Sequence, residues 1–162
     1  MADSPHVLIV GEGPVAEALG SMISALGWTS TSATTLEESE RVLPSAAAVV
    51  VTSHHEDLDG PAIRAALAAG TSYVGAMGSR RTQARRREWL LEHGVTEADL
   101  TAVHAPVGLD IGADEPGEIA ISILAEVIAE RRGRAGSVGS IGSRDGAVHP
   151  EQPPGTAYCP GG

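Results

Sequence analysis

Residues 6–16 read HVLIVGEGPVA, and this stretch decides the fold class of the chain. Its β-branched start predicts a buried strand, which is followed by the G-x-G-x-x-A pattern of Gly11, Gly13 and Ala16 and then by a helix. Glycines at such a turn let the backbone come close to a pyrophosphate, and the helix start offers it oriented N–H groups. The stretch therefore predicts a strand–turn–helix unit that holds a phosphate-bearing ligand. The candidate contacts are Gly11, Gly13, Pro14 and Val15.

Two features of this turn differ from a dinucleotide site. Pro14 removes one N–H donor from the loop. An acidic residue that grips the adenosine ribose is expected about 20 residues further on, but residues 29–34 read TSTSAT, and no arginine is there to bind a 2′-phosphate. A tight strand–helix turn without a ligand is therefore an alternative interpretation.

Strands and helices alternate along the rest of the chain. Further strands are predicted over Trp28–Ala33, Ala46–Val51, Ser72–Ala76 and Val103–Pro106. Helices are predicted over Val15–Leu26, Leu36–Leu43, Pro61–Ala69, Ser79–His93, Glu97–Leu100 and Glu115–Arg132. This order predicts an α/β fold, a three-layer, Rossmann-like, doubly wound parallel sheet. Its ligand-facing loops are expected at the carboxyl ends of the strands.

The character of the sequence changes after residue 133. Residues 134–162 contain seven glycines, four prolines and three serines and have almost no hydrophobic periodicity. Such a composition buries too little apolar surface to order a chain. We therefore expect one folded domain over residues 1–133 and a disordered tail over residues 134–162.

The 162-residue chain has no lysine, so its eleven basic residues are all arginine. This excludes mechanisms that need a P-loop lysine, a Schiff-base lysine or the Tyr/Lys pair of short-chain dehydrogenases. The net charge of −10 argues against a nucleic-acid partner, and no apolar run approaches the ~20 residues of a membrane span. A single cysteine, Cys159, excludes an intrachain disulfide. We therefore expect a cytoplasmic protein without a membrane anchor.

A second glycine-bearing loop lies in residues 73–82, which read YVGAMGSRRT. Ser79 is placed to cap the following helix, so the helix dipole, backbone donors and the guanidinium groups of Arg80 and Arg81 converge on one place. We interpret Arg80 and Arg81 as ligand contacts. Residues 85–87 are also arginines, and we interpret them as a solvated helix face paired with Glu88 and Glu92.

Two more loops carry candidate residues. Residues 106–113 read PVGLDIGA, where Asp110 either accepts a hydrogen bond from a ligand or shapes the loop through an Asx-type bond. Residues 53–59 read SHHEDLD, and Asp59 is placed to cap the next helix. Adjacent histidines in an extended segment point to opposite sides. We therefore expect no metal site and interpret His54 as a hydrogen-bonding or acid–base residue.

The last predicted helix is apolar around most of its circumference. Glu118, Ser122 and Glu126 recur every four residues, and we interpret this polar stripe as the solvated face. Because the other positions are apolar, we expect the helix to be buried on more than one side. A homodimer interface is one way to achieve this.

Three of these segments closely resemble the Rossmann domain of the XdhC/CoxI family, over about residues 6–132. They are SHHEDLD (53–59), YVGAMGSRRT (73–82) and PVGLDIGADEPGEIAISILAE (106–126). Members of this family are accessory proteins of molybdenum hydroxylases such as xanthine dehydrogenase and carbon monoxide dehydrogenase. The resemblance implies that the chain binds molybdenum cofactor (molybdopterin), supports its sulfuration and helps to load it into the apo-enzyme.

The resemblance also implies which residues contact the ligand. His54 matches a histidine that the family has after its third strand, and Ser53 stands beside it. The second loop is implied to contribute Gly75, Gly78, Ser79, Arg80 and Arg81, and the third loop Gly108, Asp110 and Gly112 opposite them.

The chain departs from the family pattern at three points. The family usually has Thr-His-Asp where this chain has Ser53-His54-His55, and an aspartate after the second strand that this chain lacks. Many members also carry a separate amino-terminal domain with a cysteine, whereas this sequence begins at the Rossmann domain. We therefore expect a sulfur-handling role to come from another polypeptide.

Three functional hypotheses are open at this point. The first is an accessory protein, without catalytic residues of its own, that binds molybdenum cofactor or a related phosphate-bearing nucleotide. The second is an NAD(P)-dependent oxidoreductase, which the first glycine pattern favours although a catalytic acid with a positioning lysine is absent. The third is a domain that keeps the fold without the ligand and acts only in assembly.

Overall fold

The computed structural model describes residues 4–143 and 145, which form one sheet with helices on both sides. The strands are β1 (His6–Val10), β2 (Thr29–Ala33), β3 (Ala48–Val51), β4 (Tyr73–Ala76) and β5 (Val103–His104). The helices are α1 (Pro14–Ala25), α2 (Leu36–Val42), α3 (Glu56–Ala68), α4 (Arg80–Glu92), α5 (Glu97–Leu100) and α6 (Pro116–Arg131).

The sheet has five strands in the order β2-β1-β3-β4-β5, and every neighbouring pair is parallel. From β1 the chain first winds outward to β2 and then crosses to β3 on the other side. The direction of winding therefore reverses between β1 and β3, and in open α/β sheets ligands bind in the crevice outside such a switch point. The predicted doubly wound α/β fold is confirmed.

The core consists of two apolar layers, one on each face of the sheet. In β1, Leu8 and Val10 face the layer completed by α3 and α4, whereas Val7 and Ile9 face the layer completed by α1 and α6. The inner strands β1, β3 and β4 are covered on both faces and are largely apolar. The edge strands are partly exposed: β2 has the sequence TSTSA, and β5 has only two residues.

One predicted helix boundary was wrong. Helix α3 begins at Glu56, so Pro61 lies inside it and Asp59 does not cap it. The missing N–H of Pro61 removes one hydrogen bond close to the helix start. The carboxylate of Asp59 is buried and forms an ion pair with Arg86 of α4. Tertiary contacts thus outweighed the local proline signal.

The predicted tail begins after α6. Its described part contains two short 3₁₀ helices, Ala135–Ser137 and Ile141–Ser143. Residue 144 and residues 146–162 lie outside the described residues, so the predicted disorder of this segment and the domain division at residue 133 stay predictions. Among the helices that the structure describes, none has the length and apolar content needed to cross a membrane.

Two helical glycines provide a test of how closely α3 and α4 pack. A Cβ atom on Gly60 of α3 would lie 2.6 Å from the ring of Trp89 in α4, whereas one on Gly20 of α1 would meet nothing within 4 Å. We expect Gly60→Ala to lower the free energy of unfolding by about 1–2 kcal/mol, because the added methyl group would overpack the contact between α3 and α4. The matched control Gly20→Ala should raise it by about 0.5–1 kcal/mol through helix propensity. Urea unfolding of both variants measures this, and equal effects would contradict the close packing of α3 on α4.

Candidate functional site

Four loops follow the carboxyl ends of β1, β3, β4 and β5, at residues 11–13, 52–55, 77–79 and 105–115. We call these loops the rim. Because the strands are parallel neighbours, the loops meet at one edge of the sheet. The sequence-predicted site residues lie in them, apart from Gly75 in β4, Arg80 and Arg81 in the first turn of α4, and Pro14 and Val15 at the start of α1.

Gly11 allows the first two loops to touch. It has a φ of +129°, and a Cβ atom there would lie 2.6 Å from the backbone nitrogen of Ser53 and 2.6 Å from Oγ1 of Thr52. Both Thr52 and Ser53 donate their N–H groups to the carbonyl of Val10, at 2.9 and 3.0 Å. Because Gly11 has no side chain, the first two rim loops can pack against each other, and Ser53 lies at the switch point.

Gly13 has a different environment. Its φ is +106°, and a Cβ atom there would meet nothing within 4 Å. The space beside this glycine is therefore open at the start of α1.

The helices of the domain differ in how their amino-terminal ends are capped. No side chain caps α1 or α3. The other helix starts are bonded by the side chains of Thr35 (α2), Ser79 (α4), Thr96 (α5) and Glu118 (α6). The two uncapped starts are the two that flank the β1/β3 switch point.

Of these two uncapped starts, α1 is the better place for an anion. The first turn of α3 already carries Glu56, Asp57 and Asp59, whereas the acidic residue in the first turn of α1 is Glu17. Negative side chains at a helix start complement the dipole and repel a further anion. The start of α1, next to the open side of Gly13, is therefore the more favourable position.

Ser79 caps α4 as predicted. Its hydroxyl accepts a hydrogen bond from the N–H of Thr82 at 3.2 Å. The amide of Gln83 steadies the same loop by donating to the carbonyls of Ala76 and Gly78, at 3.0 and 3.3 Å. These bonds hold the start of α4, with Arg80 and Arg81, next to the rim.

The five arginines of α4 fall into two groups. Arg85 pairs with Glu56 and Arg87 with Glu97, and Arg86 is buried beside Asp59. The predicted partners Glu88 and Glu92 were therefore wrong, since the acids come from other elements. Arg80 and Arg81 are exposed and form no ion pair within the described residues. Two unpaired guanidinium groups thus stand at the start of α4.

Arg86 is the functional candidate that the sequence interpretation missed. Its side chain is only 7% exposed, and Nη2 donates to Oδ2 of Asp59 at 2.6 Å and to the carbonyl of Ser53 at 3.0 Å. Nη1 donates to the carbonyl of Met77. One guanidinium thus joins the loops after β3 and β4. The available signal was its position four residues before Leu90, which is buried on the same helix face.

The loop after β5 packs on β4 and α6 through two glycines. A Cβ atom on Gly75 would overlap Val107, and one on Gly108 would lie 2.5 Å from Oγ of Ser122. The N–H of Gly108 also donates to Glu126 at 3.2 Å. These contacts make Gly75 and Gly108 close-packing positions.

Asp110 and Gly112 occupy the outer part of that loop and are exposed. In the described structure the carboxylate of Asp110 forms no hydrogen bond, so the loop-shaping Asx bond considered for it is absent. Within the described residues, no hydrogen bond or ion pair joins these two residues to the other candidate residues. Their role as ligand contacts stays a prediction.

The interpretation of the polar stripe on the last helix as a solvated face was wrong for two of its residues. Ser122 is buried against Gly108, and Glu126 is partly buried and accepts from the hydroxyl of Tyr73 at 2.6 Å. His104 stacks on the ring of Tyr73 at 4.6 Å, with Nδ1 at 3.2 Å from Glu126. Burial, followed by the bond to Glu126, raises the pKa of Tyr73.

His54 and His55 are exposed at the end of the second rim loop. Within the described residues, no group of three or more His, Cys, Asp and Glu side chains is arranged to hold a metal ion. The rim therefore offers backbone donors, Ser79, His54, Arg80 and Arg81, a set suited to an anionic organic ligand.

Comparison with known proteins gives a consistent set of similarities. The family model of the XdhC Rossmann domain matches residues 7–127. The chain is 32% identical over 127 residues to the molybdenum cofactor insertion chaperone PaoD of Escherichia coli (strain K12), over 78% of this chain and 40% of that protein. It is 38% identical over 85 residues to a probable xanthine dehydrogenase subunit of Bacillus subtilis (strain 168), over 52% of this chain and 24% of that protein.

A solved structure shares the fold. The crystal structure of a xanthine dehydrogenase from Bacillus halodurans matches with a TM-score of 0.67 over 83% of this chain and 46% of that chain, at 24% sequence identity. The chain spans less than half the length of each of these relatives.

The Tyr73–Glu126 bond predicts a change in stability at alkaline pH. The pKa of Tyr73 is raised above its ordinary value of 10.0, so the stability it contributes is present below pH 10.0 and is lost as the pH rises above it. We expect Tyr73→Phe to lower the free energy of unfolding at neutral pH by about 1.5–3 kcal/mol and to flatten its decline above pH 10. The absence of lysine keeps other titrations in this range few.

Denaturant unfolding from about pH 8 to about pH 11 measures this effect in both proteins. Tyr158 and Cys159, which lie outside the described residues, are common to both and therefore cancel. Parallel pH profiles for the two proteins would contradict the assigned bond.

Proposed function

The chain belongs to the XdhC family through its Rossmann domain, and we propose that it is an accessory protein of a molybdenum hydroxylase. In this proposal it binds molybdenum cofactor, or a related phosphate-bearing nucleotide, and helps to load it into an apo-enzyme of the xanthine or carbon monoxide dehydrogenase type. The names of two relatives support this, one being a molybdenum cofactor insertion chaperone and the other a probable subunit of xanthine dehydrogenase.

The observation that carries the proposal is that an uncapped helix start and two arginines without ion-pair partners lie along the same edge of the sheet. The open side of Gly13 at the start of α1 accepts a phosphate group, and Arg80 and Arg81 supply positive charge from α4. Strands β1 and β4 are two positions apart, a separation of about 10 Å. A phosphate on a larger heterocyclic body matches that span better than free phosphate does.

We propose two roles for the candidate residues. Gly13, Pro14, Val15, Ser53, His54, Ser79, Arg80, Arg81 and Asp110 face the ligand. Gly11, Gly75, Gly78, Gly108 and Gly112 let the rim loops approach one another or turn.

Molybdenum cofactor is cargo in this proposal. Its pterin carries the phosphate group that the rim suits and the dithiolene sulfurs that hold molybdenum. The four rim loops contain no cysteine, and the single cysteine, Cys159, lies outside the described residues. We propose that a separate polypeptide handles sulfur.

The NAD(P) alternative receives less support from the end of β2. Glu38 follows that strand, but its carboxylate accepts from the N–H of Thr34 at 2.9 Å, and this bond is the main cause of its lowered pKa. A carboxylate engaged in this way is poorly placed to grip a ribose. Nicotinamide binding is therefore the alternative outcome of the experiment below.

The proposed partners are the apo-hydroxylase and a second copy of this chain, in the cytoplasm. Ile121 of α6 is 53% exposed and Ile111 of the preceding loop is 57% exposed. The N–H of Leu109 donates to the carbonyl of Ser122, which holds that loop along α6. We propose that this apolar surface forms the homodimer interface. Sedimentation velocity, which measures the oligomeric state in solution, tests this.

Identification of the cargo tests the proposal directly. The protein is purified from a host that makes molybdopterin, and its bound small molecules are released and identified by mass spectrometry. A pterin supports the proposal, and a nicotinamide dinucleotide supports the alternative. A repeatedly empty protein that also fails to bind the cofactor in titration leaves only a role in assembly.

Removal of the unpaired arginines should weaken binding. We expect Arg80→Ala and Arg81→Ala each to reduce affinity for the released cofactor about tenfold, through loss of a charge-assisted hydrogen bond. The control is Arg64→Ala, an exposed arginine further along α3 that loses the same charge away from the rim. Fluorescence titration of the pterin measures the affinities. An equal loss in all three variants would reduce the effect to net charge and contradict the assigned contacts.

A further inference from the structure

The guanidinium of Arg86 holds two peptide groups of the rim from the inside. It donates to the carbonyl of Ser53, in the loop after β3, and to that of Met77, in the loop after β4. The peptide bonds that follow these carbonyls are trans. In a planar trans peptide, the C=O of one residue and the N–H of the next point in opposite directions. The N–H groups of His54 and Gly78 therefore point away from the buried guanidinium.

These two N–H groups are available. Neither the N–H of His54 nor that of Gly78 donates a hydrogen bond within the described residues. Their neighbours are engaged, since Ser53 donates to Val10, His55 to the hydroxyl of Ser53, and Met77 to Val51. Among the described backbone N–H groups of residues 52–55 and 77–78, the two without an acceptor are thus the two that Arg86 orients.

The ion pair beneath them is not arranged for stability alone. Asp59 is 3% exposed and Arg86 is 7% exposed, yet Oδ1 of Asp59 and Nε of Arg86 are buried without partners. A buried pair with unmet hydrogen-bonding groups contributes little to stability compared with apolar side chains of similar size. Its position does orient two peptide dipoles with their positive ends outward.

We propose that Arg86 is a positioning residue that presents the N–H groups of His54 and Gly78 as backbone donors to an anionic oxygen of the ligand. Arg86 itself does not touch the ligand. The identity of that ligand rests on the proposed function, whereas the two donors are a property of the rim and are testable with inorganic pyrophosphate as the probe.

The test replaces the buried pair by apolar or neutral groups. Arg86→Met with Asp59→Asn removes both charges together, which avoids leaving one charge buried alone. The matched control is Arg87→Met with Glu97→Gln, which removes the ion pair that the next arginine of α4 forms with α5 and leaves the rim carbonyls untouched. Arg86→Lys is a third variant, because it retains the charge but lacks the fork that reaches both carbonyls.

Two measurements are made on each protein, after denaturant unfolding has shown that it is folded. The first is amide hydrogen exchange of residues 53–55 and 77–79 without ligand. The second is pyrophosphate titration followed by the amide resonances of His54 and Gly78. We expect the two resonances to shift in the unaltered protein. We also expect the Arg86 variants to exchange faster in those segments and to bind pyrophosphate about tenfold more weakly, while the control behaves as the unaltered protein does.

The outcomes separate this proposal from the proposed function. Folded Arg86 variants that bind pyrophosphate as tightly as the control would overturn it, as would unshifted His54 and Gly78 resonances in the unaltered protein. A bound pterin together with unshifted resonances overturns the donor assignment and leaves the function standing. If the resonances shift but the protein neither carries nor binds a pterin, the donor assignment stands and the proposed function is overturned.

Discussion

A buried guanidinium holds together the carboxyl edge of this sheet. Removing the charge of Arg86 from water is unfavourable, and the carboxylate of Asp59 with the carbonyls of Ser53 and Met77 offsets that desolvation. These partners come from α3 and from two separate loops. Displacement of any one of them removes part of that compensation, which favours one fixed arrangement of the two loops and the helices that follow them.

Close packing of glycines completes the arrangement on either side of that contact. Gly11 joins the first loop to the second, and Gly75 and Gly108 seat the last loop on β4 and α6. At each position a methyl group would collide with a neighbouring atom. Small side chains also predominate in the core, which contains no phenylalanine.

The sequence predicted most of the fold because the strands and helices are encoded locally, by apolar runs such as residues 46–51 and by the cap at Ser79. It also separated Arg80 and Arg81 from the three arginines that follow. It did not predict the burial of Arg86, the start of α3 or the contacts of Glu126. Each of these depends on which strands become neighbours, and the order β2-β1-β3-β4-β5 is set by contacts between distant segments. From sequence alone, a charged residue is predicted to be exposed to solvent, because its partners on other helices and loops are not known.

The uncapped start of α1 and the free peptide groups of His54 and Gly78 are made of main-chain atoms. Only replacement by proline removes a backbone N–H, so most substitutions leave this part of the rim in place as long as Arg86 still holds the carbonyls of Ser53 and Met77. The surrounding sequence can therefore change while the backbone donors persist, provided that Arg86 and Gly11 are retained. The exposed side chains that line the same edge can vary independently, which separates the retention of the backbone donors from the choice of the ligand proposed to bind them.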